Sequence, residues 1–180
     1  MGAETLSQPS EFEQKVQFFK EFVLENGGIV PTLIVEGNRS AVMSNIRDIP
    51  ETHEERNRMM LTLGMALAKE DRIGNIKQAW FASEAWMAMG SKDGAPPLAP
   101  SQDPRRMEIL FVWNTRIDNG KIVNKGVVFE MKRDEMGILL DLRLVEKMTE
   151  ENGHTINNPL MMSFFKGYKL GMLQANCHLN

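Results

Sequence analysis

Cysteine is nearly missing from this sequence: among 180 residues there is one, Cys177. A disulfide within the chain is excluded, and an oxidising compartment would add nothing to the fold, so the expected location is the cytoplasm. Histidine is almost as sparse, with only His53, His154 and His178, and no HxH, HExxH or CxxC spacing joins them. No metal site is expected, since zinc and its relatives want such ligands in clusters. Long apolar runs are lacking too. Nothing approaches the roughly 18 residues that a membrane-spanning helix requires, and residues 1–10 show no basic stretch followed by an apolar one, so neither membrane insertion nor export is expected. The usual phosphate cradles, GxxxxGK[ST] and GxGxxG, are absent, as is the GxSxG nucleophile elbow. No cofactor is expected. Positive charge is not in excess either: the net charge is -3, which argues against the broad basic surface that drives non-specific nucleic-acid binding.

What is present is the composition of a folded globule, 42% hydrophobic and 25% charged. The length suits one domain with a substantial core and needs no second unit. Fourteen methionines are a heavy load. Adaptable core filling is the favoured reading, with a plastic binding surface as the alternative.

The order of elements is legible from patterning. Ser10 followed by Glu13 forms a capping-box pattern, and Phe12, Val16, Phe19 and Val23 recur on one helical stripe until Gly27-Gly28 ends it. Residues 29–35 and 41–46 are β-branched and apolar around a polar turn, which predicts a hairpin whose first strand starts at an edge or just after Pro31. Thr52 and Glu55 repeat the capping logic, and Met59, Leu63 and Leu67 mark a second amphipathic helix, expected to stop near 71–74. Residues 75–89 are apolar on both parities through the middle, as a central strand packed on two sides would be, with a helix over 81–89 as the alternative. Prolines at 96, 97, 100 and 104 make 91–106 a long loop, of a length that is often functional. Residues 107–113 and 121–131 flank Asp118-Asn119-Gly120, the strongest short hairpin signal. Residues 138–144 are favoured as a further strand, the alternative being the start of a helix that reaches Glu150. In 160–173, Phe164, Phe165, Tyr168 and Met172 fall near one helical face, although Gly167 and Gly171 weaken that helix. The expected fold is α+β: one domain over 1–180, with two amphipathic helices on one face of a mostly antiparallel sheet of five or six strands. The stretch 154–180 is expected to be a docking or interaction segment.

For chemistry, the strand-borne carboxylates Glu84, Glu108 and Glu130 are the catalytic candidates. A Glu84 desolvated beside Trp80 and Trp86 would have a raised pKa and suit general acid or base work. The bland alternative leaves these glutamates on a solvated face or pairs them with Arg105, Arg106, Lys132 or Arg133. Arg105 and Arg106, with Trp80 and Trp86, are the candidates for a ligand or anion site, although alternating aromatics are more often core. The leading expectation is a non-enzymatic interaction or scaffold domain that self-associates, with a further protein partner allowed and neither nucleic acid nor membrane expected. The alternative is a hydrolase-like acid-base enzyme around Glu84. A nucleic-acid site on Arg105, Arg106, Lys132 and Arg133 ranks last.

Overall fold

A computed structural model describes residues 9–70, 72–88, 103–149 and 158–177, with side chains described through residue 175. Among these residues three helices and six strands follow in the order α1 (Glu11–Asn26), β1 (Thr32–Gly37), β2 (Ala41–Asn45), α2 (His53–Leu67), β3 (Ile76–Met87), β4 (Met107–Asp118), β5 (Lys121–Arg133), β6 (Leu139–Thr149) and α3 (Pro159–Cys177). The strands form one sheet in the order β2-β1-β3-β4-β5-β6, antiparallel at every step. The expected α+β arrangement is therefore present, with a third helix added.

Alternation along the central strands builds two cores from one sheet, because successive side chains point to opposite faces. Ile34, Trp80, Ala82, Leu110, Val112, Val127 and Phe129 point to one side, where Val16, Phe19 and Val23 of α1 cover them. Leu33, Val35, Ala79, Phe81 and Trp113 point to the other, against Met60 of α2 and Met161, Phe164, Phe165 and Tyr168 of α3. The two helices that share a face are thus α2 and α3, while α1 lies alone opposite. Helices 11–26 and 53–67, both legible as amphipathic, are on different sides because β1 and β3 carry apolar residues on both parities.

The helix termini follow the capping logic. Ser10 Oγ accepts from the Glu13 N–H while Glu13 Oε2 accepts from the Ser10 N–H at 2.9 Å, and Gly27 closes α1 in the left-handed conformation. At α2, Thr52 Oγ1 accepts from the Glu55 N–H at 3.2 Å, and the Thr52 hydroxyl donates to the Glu55 carboxylate. This helix ends at Leu67, a turn before the expected 71–74. The chain turns there because Ile73 is drawn wholly into the core and its carbonyl accepts from the Arg39 N–H at 3.2 Å. In contrast, α3 runs unbroken through both glycines. A Cβ at Gly167 would overlap the Leu61 carbonyl oxygen, and one at Gly171 would lie 2.8 Å from the Met65 carbonyl oxygen. Their missing side chains let α2 and α3 touch backbone to backbone, and that packing outweighs the propensity cost of about 1 kcal/mol per glycine. No helix among the described residues is long and apolar enough to cross a membrane.

Candidate functional site

Five of the residues singled out in the sequence meet at one end of the sheet, on the α1 side. Trp86 of β3 stands directly across from Glu108 of β4, and Glu84 lies two residues before it on the same face. Arg133, at the end of β5, is the hub. Its Nε and Nη2 grip both oxygens of Glu108 at 2.8 and 2.9 Å, a fork that matches carboxylate geometry. Its Nη1 donates to the carbonyls of Gly27, at 2.9 Å, and Gly137, at 3.2 Å. Glu84 Oε2 lies 4.0 Å from the same guanidinium, while Glu84 Oε1 accepts from the Ile29 N–H at 2.5 Å. Arg106 stacks over the Trp86 ring, 4.6 Å from its centroid, and Trp86 remains 49% exposed.

The consequence of these contacts is mechanical. Gly27 and Ile29 belong to the segment leaving α1, so Arg133 and Glu84 tie the C-terminal end of that helix to β3, β4 and β5. Glu108, forked by Arg133 before anything else acts, holds the guanidinium protonated more firmly than usual. An acid or base needs an oxygen free to exchange a proton with substrate. Both oxygens of Glu108 are occupied by the fork, and one oxygen of Glu84 is occupied by a backbone amide.

The other candidates lie elsewhere. Glu130 pairs in register with Ile109 and ion-pairs with Lys132, on the opposite face of the sheet from Arg133. Arg105 folds onto the buried Asp103, to which its own N–H, Nε and Nη2 donate at 2.8, 3.1 and 3.1 Å. That hydrogen bonding holds the Asp103 carboxyl below the usual range. Trp80 is in the centre of the α1 core, 1% exposed and stacked on Phe12 at 5.7 Å, and its Nε1 has no hydrogen-bond partner among the described residues. Arg105, Arg106, Lys132 and Arg133 therefore do not share one surface. Of the 91–106 loop, residues 91–102 lie outside the described residues, as do 154–157 and 178–180 of the C-terminal segment.

Sequence reasoning missed that the partners of Glu84 and Arg133 are largely main-chain atoms, Ile29 N and the carbonyls of Gly27 and Gly137. Backbone groups leave no trace in residue identity. The double glycine at 27–28 was the available signal: a Cβ on Gly28 would run into the Glu84 carboxylate. Compared with protein-family models, curated proteins and solved structures, the chain gives no match in any of the three.

Proposed function

We propose that this chain is a non-enzymatic interaction domain whose partner is a second copy of itself, meeting it along the β6 edge. One observation carries this reading. The β5–β6 ladder slips twice, leaving Leu140 and Val145 of β6 without a cross-strand partner. Bulges usually blunt an edge against strand addition and re-aim side chains. Here they present apolar ones: Leu140 is 64% exposed, Val145 is exposed, and Met136 at 85% and Ile138 continue the patch into the preceding turn. Four large apolar side chains within ten residues at an open edge are an association surface by the ordinary cost of wetting them.

A second copy suits this edge by charge. Arg143 and Glu146 pair with Glu130 and Val128 respectively, which puts both on the same face, and neither makes an ion pair within 4.0 Å among the described residues. A two-fold axis near residues 144 and 145 would set each Arg143 against the other copy's Glu146. The aromatic side chains of α3, the surface first expected to associate, are committed inside the fold. The acid-base alternative around Glu84 has weaker support, because its carboxylates are engaged by Arg133 and Ile29.

Light scattering at micromolar concentration tests the proposal. The wild-type chain is expected at twice its monomer mass, and Leu140→Lys with Val145→Lys at monomer mass with unchanged circular dichroism. Arg143→Glu should weaken the dimer and Arg143→Glu with Glu146→Arg restore it. A wild-type chain that stays monomeric at high micromolar concentration ends the idea.

A further inference from the structure

A single helix covers only part of its face. Between α1 and strands β5 and β6 it leaves a groove of about 450 Å³, inside the range of small-molecule sites. Three elements each send a lysine to it: Lys20 from α1, Lys125 from β5 and Lys147 from β6. The register fixes two of them, since Val127 is paired with Lys147 and Lys125 lies two residues before Val127, so both emerge on the α1 side. None of the three makes an ion pair within 4.0 Å among the described residues. Two instead lie over rings, Lys20 Nζ at 5.1 Å from the centroid of Phe129 and Lys125 Nζ at 6.0 Å from that of Phe12. Phe12, Phe129 and Leu144 give the groove an apolar wall.

One carboxylate, Glu13, also lines it, but its Oε2 is already bound by the Ser10 N–H and hydroxyl at 2.9 and 3.0 Å. The groove therefore carries three positive side chains to one negative in a chain whose net charge is -3. Gathering like charges in a concave, partly apolar site is unfavourable for the empty protein, and it concentrates anions there. The local excess of two positive charges matches a dianion, and the ring-lined wall matches an apolar body.

We propose that this groove binds a small organic phosphate, with its dianionic head held by Lys125 and Lys147 within reach of Lys20, and its apolar or aromatic body against Phe12, Phe129 and Leu144. Leu144 and Lys147 belong to β6 beside the proposed self-association edge, so the test is repeated on Leu140→Lys with Val145→Lys, where binding that persists separates this site from self-association. The probe is 1-naphthyl phosphate, titrated calorimetrically into the full chain beside 1-naphthol and inorganic phosphate. Saturable binding is expected, roughly ten-fold or more tighter than for either fragment, and weakening as salt rises. Lys125→Gln with Lys147→Gln should weaken it by a similar factor, while Lys125→Arg retains it. Lys166→Gln with Lys169→Gln, on the larger apolar groove of about 650 Å³ beside α3, should leave it unchanged. Equal melting temperatures of the variants keep loss of fold from imitating loss of binding. The proposal is overturned if no saturation is reached by millimolar probe, if either fragment binds as well as the whole, or if removing the two lysines has no effect.

Discussion

The two faces of the sheet are covered in different ways. On one, α2 and α3 lie so close that Gly64 and Gly167 sit where a Cβ would overlap the Phe164 and Leu61 carbonyl oxygens, and Tyr168 seals the layer by donating to the Gly74 carbonyl at 3.1 Å and accepting from the Ile76 N–H at 3.3 Å. On the other, α1 stands alone over a core that runs from Ile34 to Leu142. Polar ties hold it at both ends: Glu11 accepts from Gln78 at 2.6 Å and Lys15 bridges to Glu36 at 2.9 Å near its start, and Arg133 and Glu84 grip the segment beyond its end. A helix pair fused through small residues leaves no room for a ligand between its members, whereas a single helix held at its ends leaves open sheet beside it. The contrast lies in how the helices pack and not in open space as such: the larger groove of the fused face lies outside the helix pair, beside α3, whereas the groove against α1 gathers three lysines.

The largest expected effect comes from breaking the fused side. Gly167→Val must push α3 away from α2, since the clash is with backbone and no rotamer relieves it. Overpacking of this kind costs about 3 kcal/mol or more, and urea denaturation measures it. A neutral result would mean that the two helices are not in backbone contact, and the distinction between the faces would collapse.

Next is the tie on the open side. Arg133→Ala leaves Glu108 half-buried without its fork and frees the Gly27 carbonyl, for an expected loss of about 1–3 kcal/mol. Both side chains remain about one fifth exposed, so solvent screening puts the effect toward the lower end. Arg133→Lys should recover only part, because an ammonium cannot make the bidentate contact. A double-mutant cycle with Glu108→Gln separates this pair from the Gly27 bond, and coupling below about 0.5 kcal/mol would show the clasp to be ornamental.

The difference between the faces also sets what could be read in advance. Much of the element order was legible: the Ser10 capping box, the Asn119-Gly120 hairpin and the two-sided apolar run of β3 are local signals, each contained in a few residues, whereas 138–148 could be read as strand or helix and the third helix was obscured by its glycines. For Glu108 and Glu130 the sequence left a solvated face and an ion pair both open, and the ion pairs with Arg133 and Lys132 emerge only from the register. The side on which each helix falls was hidden, because a strand with two apolar faces offers a helix no preference. Gly167 and Gly171 misled for a related reason: propensity counts their cost to the helix and not the approach of a second helix that they allow. The lysine groove was invisible, since Lys20, Lys125 and Lys147 share a surface only after β5 and β6 are registered and α1 is laid across them.

The smallest effect sharpens the open side at the mouth of that groove. Glu13 titrates below the ordinary glutamate value of 4.5, first because the Ser10 N–H donates to it, then because the Ser10 hydroxyl does, with Lys147 and Lys125 adding attraction. The unfolded chain has none of these, so the folded protein releases this proton more readily. The contribution of Glu13 to stability is therefore complete above the unfolded value and is lost as pH falls through the depressed folded value. Following the Glu13 carboxyl by NMR, Ser10→Ala should move its titration upward, and Lys125→Gln with Lys147→Gln should move it upward by less. Ser10→Ala also removes the side-chain cap of α1, at about 1 kcal/mol of stability near neutral pH. If Ser10→Ala left the Glu13 titration unmoved, the cap would not be what lowers it, and if the two lysine substitutions left it unmoved, Lys125 and Lys147 would not act on Glu13 at the mouth of the groove.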